Sequence, residues 1–589
     1  MELRSLLVYF CDFNIGKYTI KSFQMRRAIL IITVFILSTG YTIGQSLDLA
    51  NLKSAPKLKV NGGLNLNTLY NSYLPVPSQK FSYFVNGTVN FNVLGLISVP
   101  LSINYSNRKF NYSQPFSFNQ FSIAPKYKWA TAYLGTSALT FSPYTLNGHQ
   151  FRGVGFELTP DKWRISTMVG QLVRSTNDST YSRMGYGLKV VYNPANFRVG
   201  ASILHAADNP NSISVQRLAL NKIRPQKNIV VGIEGGINFP KIGQLDVEFS
   251  NSFISENSAL LSDSTRKGFS GLFFKTMAPI QSKTAFKTKF SKPFFGGSTI
   301  LGVGYERVDP GYRTFGGYFF TNDFENYTFN VVQRLFDNKI TFSGNIGRQR
   351  DLLETKANGQ TRFVAATNLL FVPNKKLNIN VGFSNFKGFV FVRDLIKEAK
   401  REASFIPIDT LNYTQINRNL TLMVSYAIKQ TETVSQQFTL MGTVLDAANK
   451  QGNIIRTGQA SQVFTAQSSY SIGLLKKKIN FSTGYNFNQN KIGIQDVVAH
   501  GPTAAIQQQL AKDKLSLSAA TTWLINKTAE QPQTSIFTAT ATAAYRVTNN
   551  SNLNGNLLLM NNNIDSNSSL ATGLPATIYT ITVGYSYKF

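Results

Sequence analysis

The sequence predicts an all-β fold, a large antiparallel transmembrane β-barrel of about 26 strands, within a range of about 22 to 28, with short periplasmic turns and long extracellular loops. Three observations carry that expectation. Apolar and polar residues alternate with the strand period of two along almost every segment after residue 56. The alternating runs are about ten residues long, enough to cross a bilayer at a tilt of about 45°. The last run, Tyr579, Ile581, Val583, Tyr585, Tyr587 and Phe589, alternates without a break and stops on an aromatic residue. A terminal aromatic on such a strand resembles the signal by which outer-membrane barrels are handed to their insertion machinery.

Composition agrees. Only 15% of the 589 residues are charged, while Phe and Tyr number 45 and 26. Soluble domains carry about a quarter charged residues. The mean hydropathy of −0.10 is too low for a bundle of membrane helices.

The N-terminus reads as a targeting segment. Arg26 and Arg27 precede the apolar core Ala28–Leu37, and Thr42-Ile43-Gly44 offers small residues at a cut before Gln45. That core is shorter than the ~20 residues of a spanning helix. Met25 is the natural start of the signal. Residues 1–44 are thus the signal region, 45–56 a short periplasmic lead and 57–589 a single barrel. So short a lead predicts no N-terminal plug domain, unlike a TonB-dependent receptor. Removing 1–44 takes away five basic and two acidic residues and Cys11, leaving +28 of the formal +31 charge and no cysteine.

Strands are expected to begin near residues 57, 81, 96, 111, 125, 150, 162, 184, 196, 228, 242, 281 and 297. The second half continues with 324, 339, 361, 376, 418, 434, 462, 478, 502, 514, 535, 552 and 577. The first strand has Leu58, Val60, Leu64 and Leu66 on one face and Lys59, Asn61, Asn65 and Asn67 on the other. Later runs repeat this, as in Leu245, Val247 and Phe249 or Ile479, Phe481 and Tyr485. Short turns are expected at 94–95, 160–161, 194–195, 240–241, 372–375, 474–477 and 512–513. Long connections are expected at 173–183, 206–227, 255–280, 307–323, 348–360, 387–417, 445–461 and 561–576. Trp129, Trp163 and Trp523 all fall on the outward parity near strand ends, where aromatic girdles sit.

A barrel of that size has a diameter of roughly 50 Å. An open hole of that width defeats a membrane barrier, so loops, a plug domain or a partner protein must fill it. The longest loop, 387–417, contains helix formers with opposed charges at 393–402 and serves either as a lid or as a solvated cap. The aromatic segment 305–328 has two readings. Either it packs its own aromatics on the rim, or Asp309, Tyr312, Arg313, Asn322, Asp323 and Glu325 bind a sugar or a cation. Together with Ser142-Pro-Tyr-Thr-Leu-Asn-Gly-His-Gln-Phe-Arg-Gly-Val-Gly-Phe-Glu157, this segment resembles a group of uncharacterised outer-membrane barrel proteins of Bacteroidetes, loosely from about 130 to 390. The resemblance implies a Gram-negative outer membrane and brings no catalytic or ligand residues.

The basic charge has two expected places. Lys375, Lys376, Lys476, Lys477 and Lys478 fall at short turns, where phospholipid phosphates lie within reach. Lys57, Lys59, Lys126, Lys128, Lys283, Lys287 and Lys289 fall on the lumen parity and are either anion-binding or solvated. Dispersed over an exported barrel, these cations do not read as a nucleic-acid surface. His149, His205 and His500 lie on well-separated strands, which predicts no shared metal site, and no cofactor is expected. No HExxH, GxSxG, CxxC or phosphate-loop pattern occurs, which predicts a non-enzyme. Two functions follow as expectations. One is a porin-like channel or transport component for polar solutes, anionic ones included. The other is a structural or export-linked barrel that binds a partner protein and does not conduct alone.

Overall fold

The computed structural model describes residues 57–589 except 74–79, 108–118, 176–179, 214–223, 260–278, 319, 321, 352, 354–360, 392–411, 452–453, 494, 529–532 and 564–576. The expected signal region and lead lie outside the described residues. The unit Leu58–Phe589 is one antiparallel sheet closed on itself.

Its strands begin with β1 (Leu58–Asn71), β2 (Phe81–Val93), β3 (Ile97–Ser106), β4 (Gln120–Ile123), β5 (Lys126–Tyr127), β6 (Ala130–Thr140), β7 (Asn147–Leu158), β8 (Trp163–Val173) and β9 (Arg183–Tyr192). Then come β10 (Phe197–Asp208), β11 (Lys227–Phe239), β12 (Gly243–Ser255), β13 (Ile280–Phe294), β14 (Thr299–Val308), β15 (Phe324–Leu335), β16 (Ile340–Asp351), β17 (Thr361–Asn374) and β18 (Leu377–Phe391). The ring ends with β19 (Asn412–Gln430), β20 (Val434–Gln451), β21 (Ile454–Leu474), β22 (Ile479–Ile492), β23 (Gln495–Leu510), β24 (Leu515–Thr528), β25 (Thr534–Thr548), β26 (Ser551–Asn563) and β27 (Thr577–Lys588). Each strand pairs with its chain neighbours, and β1 pairs with β27 from Gly63↔Lys588 to Asn71↔Thr580. β4 and β5 lie end to end between β3 and β6, so the 27 strands make 26 staves.

The period-two pattern sets which way each side chain points. On β27, Tyr579, Ile581, Val583, Tyr585 and Tyr587 are all exposed on the outer face. Trp129, Trp163 and Trp523 are exposed as well. Around one end the chain reverses in tight turns such as 94–96, 240–242, 336–339, 475–478 and 511–514. Left-handed residues there, including Leu94, Lys241, Lys478 and Lys512, supply the twist that a two-strand reversal demands.

Several boundaries differ from the sequence expectation. The stave placed at 111–121 is the broken β4/β5 pair, interrupted at Ala124-Pro125, because proline cannot donate to the ladder. The next strand therefore starts at Ala130 rather than near 125. The expected turn at 372–375 sits at 375–376. Both ends of the expected loop 387–417 are strand, since β18 and β19 stay paired from Leu377↔Tyr426 to Phe391↔Asn412, and 392–411 lie outside the described residues. Its expected helical segment lies outside the described residues. Likewise 445–461 is largely hairpin, with β20 running to Gln451 and β21 starting at Ile454. Alternation weakens where a hairpin leaves the apolar belt, so the sequence pattern underestimates such strands.

Buried side chains are distributed unevenly. Among the described residues, all the buried hydrophobic ones lie between Leu139 and Ala365. The wall from β19 to β27 instead presents half-exposed Asn, Ser, Thr and Gln to the interior. Arginine at Val583, outward on β27, is expected to cost about 2–4 kcal/mol in chemical unfolding from lipid vesicles. Arginine at the inward neighbour Thr582 should cost far less. Equal losses at the two positions would contradict the assigned faces.

Candidate functional site: two loops folded into the lumen

The uneven burial has one source. The loops 141–146 and 309–323 turn inward and pack on the inner faces of β6 to β15. One cluster joins Phe141, Leu146 and Phe315 of the loops to Leu139, Phe151, Met168, Leu172 and Leu204 of the wall. A second joins Tyr144 and Tyr312 to Val230, Ala285, Val308 and Phe324. Leu146, Tyr312 and Phe315 are at most 2% exposed. Burying each such side chain contributes about 1.5–3 kcal/mol, which favours the inward fold over a solvated loop.

Local sequence shapes both loops. Ser142 Oγ accepts from the Tyr144 and Thr145 amides at 3.2 Å each, closing a serine turn around Pro143. Asp309-Pro310-Gly311-Tyr312 forms a second reversal, with the Tyr312 amide donating to the Asp309 carbonyl at 3.1 Å and Gly311 at φ 74°. That combination of Pro and left-handed Gly suits a type II turn. The loops then meet as a two-residue parallel bridge, Leu146↔Gly316. The Asn147 amide donates to the Gly316 carbonyl at 2.8 Å, and Thr314 Oγ1 donates to the Thr145 carbonyl at 2.5 Å. Tyr312 Oη donates to the Tyr144 carbonyl at 2.8 Å. Gly316 is needed for this approach, because a Cβ there would lie 2.4 Å from the Thr145 carbonyl oxygen.

Polar wall residues pin the loops. The Phe315 amide donates to Asn228 Oδ1 at 3.0 Å, and Ser252 Oγ donates to the Arg313 carbonyl at 2.6 Å. Asn228 Nδ2 in turn donates to Ser252 Oγ at 2.8 Å. The Phe315 ring lies under the Arg183 guanidinium, 3.6 Å from carbon to ring centroid. Arg183 is itself held by Asp208 through bonds of 2.7 and 3.0 Å. Lys189 bonds the Phe141 carbonyl and pairs with Glu234 at 2.9 Å. Tyr144 Oη donates to Glu306 Oε1 at 2.6 Å, and Glu306 lies 3.7 Å from Lys287. Tyr318 stacks on His149 with ring centroids 4.0 Å apart. Burial pushes the Tyr312 phenol well above its ordinary range, so it remains a donor.

Of the residues named from sequence in 305–328, the loop carries Tyr312, Arg313 and Asn322 inward, whereas Asp309, Asp323 and Glu325 sit where it joins the wall. Asp309 accepts from the Thr284 amide and hydroxyl at 2.9 and 2.6 Å and pairs with Arg307. Arg313 pairs with Glu256, and Asn322 Nδ2 donates to the Tyr312 carbonyl at 2.8 Å. Asp323 accepts from the Leu353 amide at 2.9 Å. Glu325 points outward and accepts from Tyr305 Oη at 2.7 Å. All but Glu325 hold the loop or its ends in place. The partner loop 141–146 is the element that sequence reading left without a role, although Phe141, Tyr144 and Leu146 between two strands already require a place to be buried.

The lysines divide. Lys283, Lys287 and Lys289 line the inner face of β13, but register sets Lys287 beside Glu248 and Glu306 and Lys289 beside Asp246. Carboxylates therefore interleave with the cations on this wall. Lys289 also edges a hollow of about 530 Å³ lined by Asn330, Asn345, Asn368, Ser384 and Asn419. Lys59 and Lys126 lie in one inner row through Asn92 and Ser98, beside the tight turns. Lys57 immediately precedes β1. Lys128 is no lumen residue, since it sits in the turn at φ 50° with its ammonium 5.6 Å from the Tyr127 ring. Lys375 and Lys376 occupy the 375–376 turn, and Lys476, Lys477 and Lys478 the 475–478 turn, all exposed. Of these, Lys478 pairs with Asp513 at 2.5 Å.

Alanine at Gly316 is expected to part the bridge while the barrel stays intact. Trypsin should then cut the folded variant after Arg313 at least about tenfold faster than the parent, because cleavage follows the open population. An unchanged cleavage rate with the heat-modifiable gel shift preserved would show that the bridge does not hold the loops. Tyr312→Ala removes a buried ring and is expected to cost about 3–5 kcal/mol of loop docking, read by the same cleavage assay.

No protein-family model matches the sequence, and no curated protein does. Solved structures resemble the chain in part. The P pilus usher translocation pore aligns over 90% of this chain and 99% of its own, at 12% identity and a TM-score of 0.35. The FrpB iron transporter from Neisseria meningitidis aligns over 92% and 84%, at 10% identity and 0.39. A ferric enterobactin receptor of Pseudomonas aeruginosa aligns over 90% and 80%, at 9% identity and 0.39.

Proposed function

We propose that the protein is an outer-membrane barrel of a Gram-negative bacterium, acting as a channel or transport component for polar solutes. The observation that carries this reading is the closed ring itself, apolar outside and polar inside, whose lumen is narrowed from one side by the protein's own loops. Closure leaves no unpaired backbone facing lipid, the condition for spanning a bilayer with strands. The pinned loops 141–146 and 309–323 act as a constriction on the β6–β15 side. The Asn- and Ser-lined wall opposite leaves a path for hydrated solutes. The exposed lysines at the tight turns, Lys375, Lys376, Lys476 and Lys477 among them, suit phosphates of the facing leaflet.

Charge on the path is mixed. Lys189, Lys287 and Arg198 are ion-paired, whereas Lys289 lies across from Asp246 and borders the amide-lined hollow. An anion preference therefore rests mainly on Lys289. A second reading is a barrel that holds a partner segment in its lumen. It is favoured by Met423 and Met441, which face each other on the inner side of β19 and β20 and are 42% and 46% exposed. Methionines left bare on a polar wall suit an adaptable apolar contact.

Conductance of the purified chain in a planar bilayer, under a salt gradient, tests both. Channel function predicts discrete steps that grow in Gly316→Ala, and a shift toward cations in Lys289→Glu. Silence from correctly folded protein would overturn the channel reading, and a stoichiometric protein retained after mild extraction would support the second.

A further inference from the structure

One outward patch departs from a purely apolar belt. Register on β14, β15 and β16 aligns Arg307, Glu325 and Arg350 in one row. The next row toward the tight turns holds Tyr305, Tyr327 and Arg348, and the one below it Val303, Phe329 and Ile346. All alternate with the inward Glu306, Asn326 and Gln349. The patch thus grades from guanidinium through phenol to hydrocarbon over about 13 Å of strand.

Its height is that of a lipid headgroup. Arg348 and Arg350 lie eight and ten residues beyond Ile340, the first residue of β16 after its tight turn. At a tilt of about 40° this is about 20 and 25 Å along the barrel axis. The apolar band of such barrels is about 25 Å tall.

The donors are organised. The carboxylate of Glu325, whose side chain is 10% exposed, accepts from Tyr305 Oη at 2.7 Å and Tyr327 Oη at 3.3 Å and pairs with Arg350 at 3.1 Å. Arg307 Nε lies 3.4 Å from Asp309. Both guanidinium groups remain about half exposed, so each keeps N–H donors facing out. Arg348 is exposed and has no polar partner among the described residues. Three guanidinium groups against two carboxylates leave net positive charge at a level where an isolated cation is costly. A phosphate relieves that cost, and the guanidinium fork matches it in two bonds.

We propose that this patch binds the phosphate of a phosphorylated glycolipid in the leaflet at the loop end of the barrel. Arg348 and Arg350 take the phosphate, Arg307 flanks it, and the acyl chains lie along Val303, Phe329 and Ile346. The site rests on the membrane-spanning reading above.

The test is titration of the detergent-purified full chain with lipid A bearing both phosphates, followed by native mass spectrometry. Dephosphorylated lipid A and inorganic phosphate are the comparators. The parent should retain lipid A, with the dephosphorylated form and the R348Q/R350Q variant each weaker by about tenfold. Should the double variant fail to fold, R348Q alone breaks no polar contact among the described residues and replaces it. Equal retention by parent and variant overturns the site, as does displacement of lipid A by inorganic phosphate. A chain that does not enter lipid vesicles defeats the membrane reading itself. A chain that inserts and retains no lipid A defeats only the lipid site.

Discussion

Backbone pairing without an edge is the constraint on which the rest of this structure depends. A strand on an open sheet presents a row of unpaired amides and carbonyls, which is tolerable in water and prohibitive beside hydrocarbon. Here the first and last strands meet, with Gly62 and Phe589 exchanging amide bonds of 2.9 and 3.1 Å at the seam. Closure then dictates the alternation of every strand. One parity must face out and is apolar, and the other must face a space too wide for side chains alone to fill.

That space explains the two inward loops. A barrel of this circumference cannot build a core across its diameter, so the apolar residues that leave the wall have to find one another. Phe141, Tyr144, Leu146, Tyr312 and Phe315 do so by docking on a wall sector where Gly187 and its neighbours leave room, since a Cβ at Gly187 would lie 2.7 Å from the Phe141 ring. Packing supplies the affinity of loop for wall. The polar network of Asn228, Ser252, Arg183 and Asp208 supplies the position, because each buried group needs a partner and only one docking geometry provides them all. The result is a sector with a conventional core beside a sector whose inner face stays polar and half exposed.

The strand order, the stave number and most strand starts were legible in the sequence, since period two is read residue by residue and needs no knowledge of what lies opposite. Errors concentrate where the pattern loses its physical cause. Around 387–417 and 445–461 the strands continue beyond the apolar belt, where neither face selects for hydrophobicity. At 120–127 a proline splits one stave into two short pieces, and Lys128 falls in a turn instead of on the lumen wall. Of the candidate site, the aromatic content of the 305–328 segment and its polar residues were visible. The companion loop was not, because its partners Met168, Leu204 and Gly316 are distant in sequence.

By itself the sequence determined the class of fold, the face of each strand and the absence of cysteine from 57–589. Those properties follow from local alternation and composition. Only the tertiary structure decided which loops enter the lumen, which lysines meet carboxylates and which arginines gather on one outward patch. Each of these depends on the register between strands, and register sets residues tens to hundreds of positions apart side by side. Lys287 beside Glu248, Tyr144 on Glu306 and Arg350 on Glu325 are neighbours for that reason alone.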